Sequence, residues 1–486
     1  MTGRRGPGRS LLLGALIAVT AFATLLGGCR RSTETSPSST DASSLANASS
    51  TTVTDGAAAV AVPADRMSES GMLAEAALYL DNADFRRTSL EESLTNPKNI
   101  YSRQRLDAYG LKTKGWDLLP VWNPQSVPVT TAMAADLRAH RALIIDPAAP
   151  RIWDGNRPTT MAGCVALGRE VFVGYPLRVE IFMNYALEHP DAGERVGVRA
   201  GKDGVYPGVR LFTDVQGKSA LGITCASCHS SVDSEGRTTI GEARRYFDYG
   251  ALRLAYHKGT GVPVEADLAR RMGTWGPGRA DVTEDDDEDP VAIPDLWGLR
   301  HQSVLTQAGT IKHVGPTVLA IRQETQILHS NHHKIRPPRE LAYALALFLY
   351  SLEPPPKALA APAPDGKLVT HGQELFGQHC QSCHSNEAFG GPPVPADKVG
   401  TDRALAFGGA RGTGKYRPPA LIRVSSAGPY FHHGAVSTLE DVLSPARFEP
   451  SFVKGTVAKG PVPGHKYGTE LPGEDRSALV AYLRTL

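Results

Sequence analysis

The sequence predicts a mainly α-helical protein with hairpin insertions, in which two small domains of one kind follow an export signal and a flexible tether. Three observations lead to this prediction. The pentapeptide C-x-x-C-H occurs at 225–229 and again at 380–384, helical apolar patterns flank the second copy, and the chain starts like a secretory signal. A chain of 486 residues is long enough for two or three domains, and its formal net charge of +2 gives no reason to expect a nucleic-acid partner.

The first 28 residues read as a lipoprotein signal peptide. A basic start and an apolar run lead into LLGGC, which resembles a bacterial lipoprotein cleavage box and predicts lipidation of Cys29. Ordinary signal cleavage with an incidental Cys29 is the alternative. Residues 29–66 are rich in Ser, Thr and Ala and predict a flexible tether. No later segment reaches the roughly 18–20 apolar residues of a membrane span. We therefore expect a protein on the periplasmic side of a bacterial membrane, attached to it through the N-terminal lipid only.

The two C-x-x-C-H motifs predict two covalently bound haem c groups. Disulfides and a zinc site are alternative uses of such cysteine pairs, but neither would need a His after each pair. In c-type haem attachment, both thiols bind the macrocycle and the adjacent imidazole binds the iron. Cys164 is left over and is expected to be a buried thiol. The predicted attachment and iron-binding residues are Cys225, Cys228 and His229 in the first motif, and Cys380, Cys383 and His384 in the second.

Residues 67–356 are expected to form an N-terminal region followed by the first haem domain. The stretch 202–229 reads as a hairpin that leads into the first motif, because Val209, Leu211 and Thr213 alternate with polar or charged neighbours and VQGK supplies the turn. The segment 339–352 is apolar nearly all round, lies between proline clusters and is too short to span a membrane, so it predicts a buried helix. A Pro-rich linker follows it and marks the domain boundary.

Residues 365–486 predict a second, cytochrome c-like domain. Apolar residues at helical spacing precede Cys380, and Leu479, Tyr482 and Leu483 repeat that spacing near the end of the chain. Two helices that flank a haem in this way resemble the class I cytochrome c fold. The small Gly372 would allow the two helices to approach closely.

The stretch RPPALIRVSSAGPYFHHGAVSTLEDVL (417–443) resembles the bacterial di-haem cytochrome c peroxidase and MauG superfamily. The resemblance runs from about residue 205 to the end and does not explain residues 67–200. It implies that an oxidant reacts at the N-terminal haem, that the C-terminal haem passes electrons, and that a Trp lies between the two haems.

The second iron departs from this pattern. The superfamily's Met or Tyr ligand corresponds to Ala446 here, which cannot bind iron. The segment around GHKYGT resembles the branch that contains the di-haem rubber oxygenases, where a late His completes the second haem. The resemblance implies a His384/His465 ligand pair suited to electron transfer. His432 is the second candidate, and a surface position for His465 is the alternative interpretation.

The first iron has His229 as its expected ligand, and its opposite side is unassigned. No segment near the first motif looks like the superfamily's His-bearing loop, so we expect an open site that can bind peroxide or dioxygen. The residues that could close it are His257, Met272, His301 and His313.

Trp275 stands where the resemblance places the inter-haem Trp, and Trp297 is the second candidate. Either could instead be an ordinary core residue. The acidic run at 284–289 reads as a solvated loop. Calcium occurs at the domain interface in the superfamily, but its ligands cannot be matched in this sequence.

We therefore expect a peroxidase-like di-haem oxidoreductase. It would use hydrogen peroxide or dioxygen, and a small redox protein such as a cytochrome or a cupredoxin would donate electrons. The alternatives are a non-catalytic di-haem electron-transfer protein and a haem-dependent oxygenase that acts on an apolar substrate.

Overall fold

The computed structural model of the protein describes residues 62–110, 115–281, 289–331, 335–356, 365–455 and 458–486. The expected signal peptide, the lipidation site Cys29 and nearly all of the tether lie outside these ranges. The same is true of most of the acidic run 284–289. Within the described ranges, no helix is long and apolar enough to cross a membrane.

The described chain is largely helical. The helices before the Pro-rich linker are α1 (Glu69–Asp81), α2 (Ala83–Ser93), α3 (Ile100–Tyr109), α4 (Gly115–Leu118), α5 (Thr131–Arg138), α6 (Met161–Gly174), α7 (Ile181–Glu188), α8 (Pro190–Arg195), α9 (Ala226–His229), α10 (Tyr249–Thr260), α11 (Ala266–Trp275), α12 (Pro316–Ser330) and α13 (Arg339–Tyr350). Those after it are α14 (Gly366–His379), α15 (Ala396–Val399), α16 (Ala404–Phe407), α17 (Leu439–Val442) and α18 (Gly473–Leu483).

Short strands connect the helices. They are β1 (Ser126–Thr130), β2 (Arg178–Val179), β3 (Val205–Thr213), β4 (Ser219–Ile223), β5 (Ser230–Val232), β6 (Thr238–Ile240), β7 (Arg279–Ala280), β8 (Val291–Ala292), β9 (Val304–Leu305), β10 (Ile311–Lys312), β11 (Val394–Pro395), β12 (Lys415–Tyr416), β13 (Val453–Lys454) and β14 (Ala458–Lys459). The largest sheet is antiparallel, in the order β1-β3-β4-β2.

The predicted hairpin before the first motif is confirmed. Strands β3 and β4 pair antiparallel, with Leu211 opposite Leu221, and α9 follows directly after the second strand. The Ser227 hydroxyl donates to the Gly208 carbonyl at 2.7 Å, which joins the first motif to the hairpin. A side chain at Gly208 would overlap the backbone at Ser227, so this close approach requires glycine.

The buried helix predicted at 339–352 is also confirmed, as α13. It packs against α6 and α12 in a core to which α1, α2 and α3 also contribute. Cys164 lies in α6 as a buried free thiol, as expected. The N-terminal helices therefore share one hydrophobic core with α6, α12 and α13.

The helix pair predicted around the second motif is present as α14 and α18. A side chain at Gly372 would overlap the Ala478 carbonyl, which confirms that the missing side chain permits the close crossing. On the exposed side of the same helix pair, His371 Nε2 lies 2.7 Å from the carboxylate of Asp475. This contact and a second one with Glu374 raise the pKa of His371.

Candidate functional site

The second C-x-x-C-H forms one helical turn at the end of α14. The amide of His384 donates to the carbonyl of Cys380 at 3.0 Å, and Cys380 and Cys383 are both free thiols. This turn presents two thiols and one imidazole at the wall of a single cavity. That is the donor set that covalent attachment of haem c requires.

The cavity has a volume of about 290 Å³ and a mostly apolar wall. Its wall includes residues of the first half of the chain (Pro294, Trp297, Leu299 and Gln307) as well as residues of the second half (Phe376, Arg417, Pro419, Phe431, His432, His465, Tyr467 and Leu479). The exposed Ala446 is not among the lining residues.

His384 and His465 are brought together in this cavity. The Nδ1 atom of His384 lies 2.6 Å from the carbonyl of Phe389, which leaves its other nitrogen for a ligand. His465 Nδ1 is buried and has no hydrogen-bond partner in the part of the chain that the structure describes. Burial, together with the nearby charges of His384 and Arg447, lowers the pKa of His465 to about 4. Two imidazoles on the wall of one apolar cavity fit a metal-bearing macrocycle.

A buried arginine fixes the segment that carries His465. Arg447 is 0% exposed, and its guanidinium donates to the carbonyls of Val442, Val462, Gly464 and His465 at 2.6–3.0 Å. The His465 amide also donates to Val399 at 2.7 Å. Sequence reasoning missed Arg447, whose only signal was a basic residue within an otherwise apolar turn.

His432 borders the same cavity but has different surroundings. Its ring stacks on Tyr416 with 4.0 Å between the ring centres, and its Nε2 atom is buried without a partner. Burial holds the pKa of His432 well below its usual range, and the neighbouring His433 lowers it further. Burial is the main cause of the lowered pKa of both His432 and His465.

Arg417 is a further lining residue that the sequence did not single out. Burial lowers the pKa of its guanidinium to about 10, and its Nε atom has no acceptor among the described residues. A buried cation without a counterion is costly, so the site fits a ligand that brings negative charge. The propionate groups of a haem are such a ligand.

The first C-x-x-C-H forms a similar turn at α9. Cys225 and Cys228 are free thiols, and burial raises the pKa of Cys225 to about 11. His229 Nδ1 lies 3.0 Å from the carbonyl of Pro294. Burial lowers the pKa of His229 to about 4, although the contact with the Pro294 carbonyl acts in the opposite direction. The donor set again fits covalent haem c.

The four residues considered for the other side of the first iron already have protein contacts. His313 lies between the carbonyl of Gln302, at 2.7 Å, and the hydroxyl of Tyr350. The remaining three lie in separate places: His301 pairs with Glu387, His257 Nδ1 faces the carbonyl of Val262, and Met272 is buried in α11.

The two tryptophans occupy different surroundings. Trp275 is buried in α11, where it stacks on Tyr249 and lies under the guanidinium of Arg253. Trp297 lines the cavity at the second motif and belongs to the apolar cluster against which Cys225 packs. The relay role of Trp275 stays a prediction. Of the two tryptophans, Trp297 is the one that lies both on the cavity wall at the second motif and in the apolar cluster that contacts Cys225.

The segments that follow the two motifs are structurally equivalent, which the sequence analysis missed. Both contain a 3₁₀ turn (Leu299–His301 and Val424–Ser426), and both contain antiparallel backbone pairing, Leu305 with Ile311 and Tyr430 with Val436. The shared spacing of P-x-L in IPDLW and PPALI was the signal that could have revealed it.

The two segments are joined by a reciprocal pair of hydrogen bonds. The amide of Ala292 donates to the carbonyl of His432 at 2.8 Å, and the amide of Arg417 donates to the carbonyl of Gln307 at 3.0 Å. Arg417 corresponds to Ala292, and His432 to Gln307, so one contact is made twice about a pseudo-two-fold axis. Such an interface fixes both segments relative to one another.

Comparisons with known proteins agree with this geometry. Residues 369–486 match the cytochrome c family. The chain is 26% identical over 300 residues to the methylamine utilization protein MauG of Methylorubrum extorquens, and the alignment covers 57% of this chain and 76% of that protein. These findings support covalently bound haem c, a haem-dependent oxidoreductase, and the resemblance to the di-haem cytochrome c peroxidase and MauG superfamily.

Proposed function

We propose that this protein is a di-haem c-type oxidoreductase of the peroxidase type. A covalent haem would be held at each C-x-x-C-H, peroxide or dioxygen would react at the first site, and electrons would arrive through the second. The observation that carries this proposal is the pair of matching C-x-x-C-H turns, each with free thiols and an imidazole oriented by a backbone carbonyl.

The residues of the second site favour electron transfer. Cys380 and Cys383 would hold the macrocycle, while the Phe389 carbonyl keeps the proton of His384 on Nδ1 and leaves Nε2 as a ligand. His465, held by Arg447, would complete a bis-His pair, and Arg417 would meet a propionate. Saturated ligation excludes oxidant and keeps the second site as a relay.

The residues of the first site favour reaction with a small oxidant. The Pro294 carbonyl orients His229, so the proximal imidazole is fixed in the same way as in the second site. The three imidazoles considered as a second ligand, His257, His301 and His313, each contact another protein group instead. Bound haem supplies an iron that exchanges single electrons and, where an axial position is open, binds peroxide or dioxygen.

Several parts of this proposal rest on the sequence alone. They are Trp275 or Trp297 as a relay between the sites, a small cytochrome or cupredoxin as donor, and attachment to the periplasmic side of a membrane through Cys29. Calcium near the acidic run is a further part, and Asp289 is the residue of that run that lies within the described ranges. The resemblance of the GHKYGT segment to the rubber oxygenase branch supports His465 as a ligand.

Electron paramagnetic resonance of the haem-loaded protein tests the proposal. The fully oxidised protein should show one high-spin ferric signal, which His229→Gly alters and His384→Gly spares. The low-spin signal should depend on His384 and His465, with the exposed His371 as a control position. If both haems are low-spin when oxidised and when half-reduced, the protein has no open iron and is an electron carrier instead.

A further inference from the structure

A buried tyrosine and a buried histidine form a hydrogen-bonded pair that the proposed function does not use. Tyr350 ends α13 and is 5% exposed, and His313 is 9% exposed. The Tyr350 hydroxyl is hydrogen-bonded to Nε2 of His313. Nδ1 of the same ring lies 2.7 Å from the carbonyl of Gln302. Both ring nitrogens therefore have a protein partner.

These contacts decide which atom carries the proton. Burial disfavours the charged form of an imidazole, so the His313 ring is neutral. A carbonyl oxygen only accepts, so Nδ1 of His313 donates to Gln302, and Nε2 accepts from the Tyr350 hydroxyl. Burial raises the pKa of Tyr350, so the phenol keeps its proton at neutral pH. A phenol held in this way can lose an electron and its proton together, because a base is already within hydrogen-bond reach.

Packing connects the pair to the first C-x-x-C-H. Leu352 follows Tyr350 by two residues, which span at most about 7 Å. A side chain at Gly241 would overlap the Trp297 ring and crowd Leu352, so both of these residues pack on Gly241. The amide of Gly241 donates to the carbonyl of His229 at 2.8 Å. The end of α13 therefore reaches the backbone beside the first motif.

Hydrogen bonds connect the pair to the second C-x-x-C-H. Gln302 lines the cavity at that motif. The amide of His313 donates to the carbonyl of Ser303 at 2.9 Å, and the Ser303 hydroxyl donates to the carbonyl of Gly391 at 3.1 Å. A side chain at Gly391 would overlap the carbonyl of Cys383, so Gly391 lies directly against the second motif. The tyrosine and the histidine are therefore connected to both motifs by direct contacts.

We propose that Tyr350 and His313 form a proton-coupled redox pair that relays electrons between the two cofactor sites. The proposal rests on the proposed function, which supplies peroxide as oxidant at the first site and electrons from the second. Once the first cofactor has been oxidised, Tyr350 gives it one electron. The phenolic O–H bond breaks and the proton moves to Nε2 of His313, which leaves a neutral tyrosyl radical and an imidazolium. One electron from the second cofactor then reduces the radical, and the proton returns to the phenol oxygen.

Tyr343 on the same helix provides a matched control. It is buried as well, but its hydroxyl donates to the backbone carbonyl of Met72 at 2.6 Å. A backbone carbonyl is not a base at neutral pH, so an oxidised Tyr343 would have no acceptor for its proton. The relay should therefore depend on Tyr350 and not on Tyr343.

The first experiment is freeze-quench electron paramagnetic resonance of the fully oxidised, haem-loaded protein after hydrogen peroxide is added. Because the second site then holds no electron to return, we expect a radical in the wild type and in Tyr343→Phe. Ring-deuterated tyrosine should narrow the signal, and Tyr350→Phe should lose it. His313→Gln keeps a hydrogen-bond acceptor but no base, so its radical should form roughly 100-fold more slowly, a usual contribution of a positioned base.

A second readout is the solvent isotope effect on electron exchange between the haems, measured by flash photolysis. The wild type and Tyr343→Phe should exchange electrons more slowly in heavy water than in ordinary water, because a proton moves with the electron. Tyr350→Phe and His313→Gln should be slower than the wild type in ordinary water and should lose this difference. A merely structural role of His313 would not remove the isotope effect.

The remaining outcomes decide between the two proposals. A radical that persists in Tyr350→Phe, or no radical although the first haem reacts, would overturn the relay and leave the proposed function in place. Equal rates in both waters in the wild type would overturn it as well. If Tyr350→Phe does not fold, a ring-fluorinated tyrosine at position 350 replaces it: a changed hyperfine pattern supports the relay, and an unchanged one contradicts it. If peroxide alters neither haem spectrum, the proposed function fails and the relay fails with it.

Discussion

Replacing Arg447 by Met tests how the second site holds His465. Arg447 is completely buried, and its Nε, Nη1 and Nη2 atoms donate to the carbonyls of Val442, Val462, Gly464 and His465. A Met side chain fills part of the same space but donates no hydrogen bond. The substitution therefore leaves four carbonyls without this donor in a buried turn.

The cost can be estimated from these contacts. A buried acceptor left without its partner costs at least about 1 kcal/mol, so four carbonyls give about 4 kcal/mol. The guanidinium also lies 4.2 Å from the ring centre of Phe448, and losing that contact adds about 0.5–1 kcal/mol. The expected loss is thus about 4–5 kcal/mol, a large part of the stability of a typical domain.

Denaturant unfolding of the haem-loaded protein measures this loss, followed by far-ultraviolet circular dichroism and Soret absorbance. We expect a lower midpoint at an unchanged slope. The low-spin signal of the second haem should weaken as well, because the turn no longer holds His465. The control is Arg484→Met at an exposed ion pair, which should cost no more than about 1 kcal/mol. A loss of less than 1 kcal/mol in Arg447→Met, with an intact low-spin signal, would refute the reasoning.

Three further predictions concern helix packing, pH and electron transfer. Gly372→Ala should cost about 1–3 kcal/mol in unfolding free energy because it forces α14 away from α18, whereas Gly377→Ala on the exposed face of α14 should stabilise by up to about 1 kcal/mol. The raised pKa of His371 predicts that its ion pair stabilises the fold below about pH 6.5, the pKa of an unperturbed His. This stabilisation is lost as the pH rises through the raised pKa of the folded protein. The unfolding free energies of wild type and His371→Gln should therefore differ at acidic pH and converge at alkaline pH. Trp297→Phe should slow electron exchange between the haems, measured by flash photolysis, because Trp297 lines the cavity at the second motif. An equal effect of Trp275→Phe would contradict this assignment of the electron path to Trp297.

The elements that sequence reasoning predicted correctly are those with local signals. Strand β3 contains an alternating stretch that is followed by a turn, and α13 is an apolar run between prolines. The crossing of α14 and α18 followed from one glycine at helical spacing from its apolar neighbours. In each case the residues that decide the structure lie within a few turns of one another.

What the sequence did not reveal depends on contacts between distant residues. The docking of α3 onto the loop around Gly409 joins segments about 300 positions apart, and nothing in either segment indicates the other. The same holds for the reciprocal hydrogen bonds of Ala292 and Arg417. Arg105 of α3 carries no signal in the sequence either, because only the folded chain shows that it is buried.

The pseudo-two-fold relation between the two segments separates what is shared from what is specific. Both segments have the same backbone course, since Thr306 and Phe431 share a positive φ, as do Gly309 and Gly434. The side chains at equivalent positions differ, however. His432 in the second segment corresponds to Gln307 in the first.

A simple electron carrier would need two sites in which each iron has all its ligands. Two segments with the same backbone course would then be expected to keep equivalent ligands. Here His384 and His465 line one cavity at the second site, whereas the imidazoles considered for the first site, His257, His301 and His313, each contact another protein group. The same backbone arrangement with two different sets of side chains is expected when one site reacts and the other supplies it with electrons.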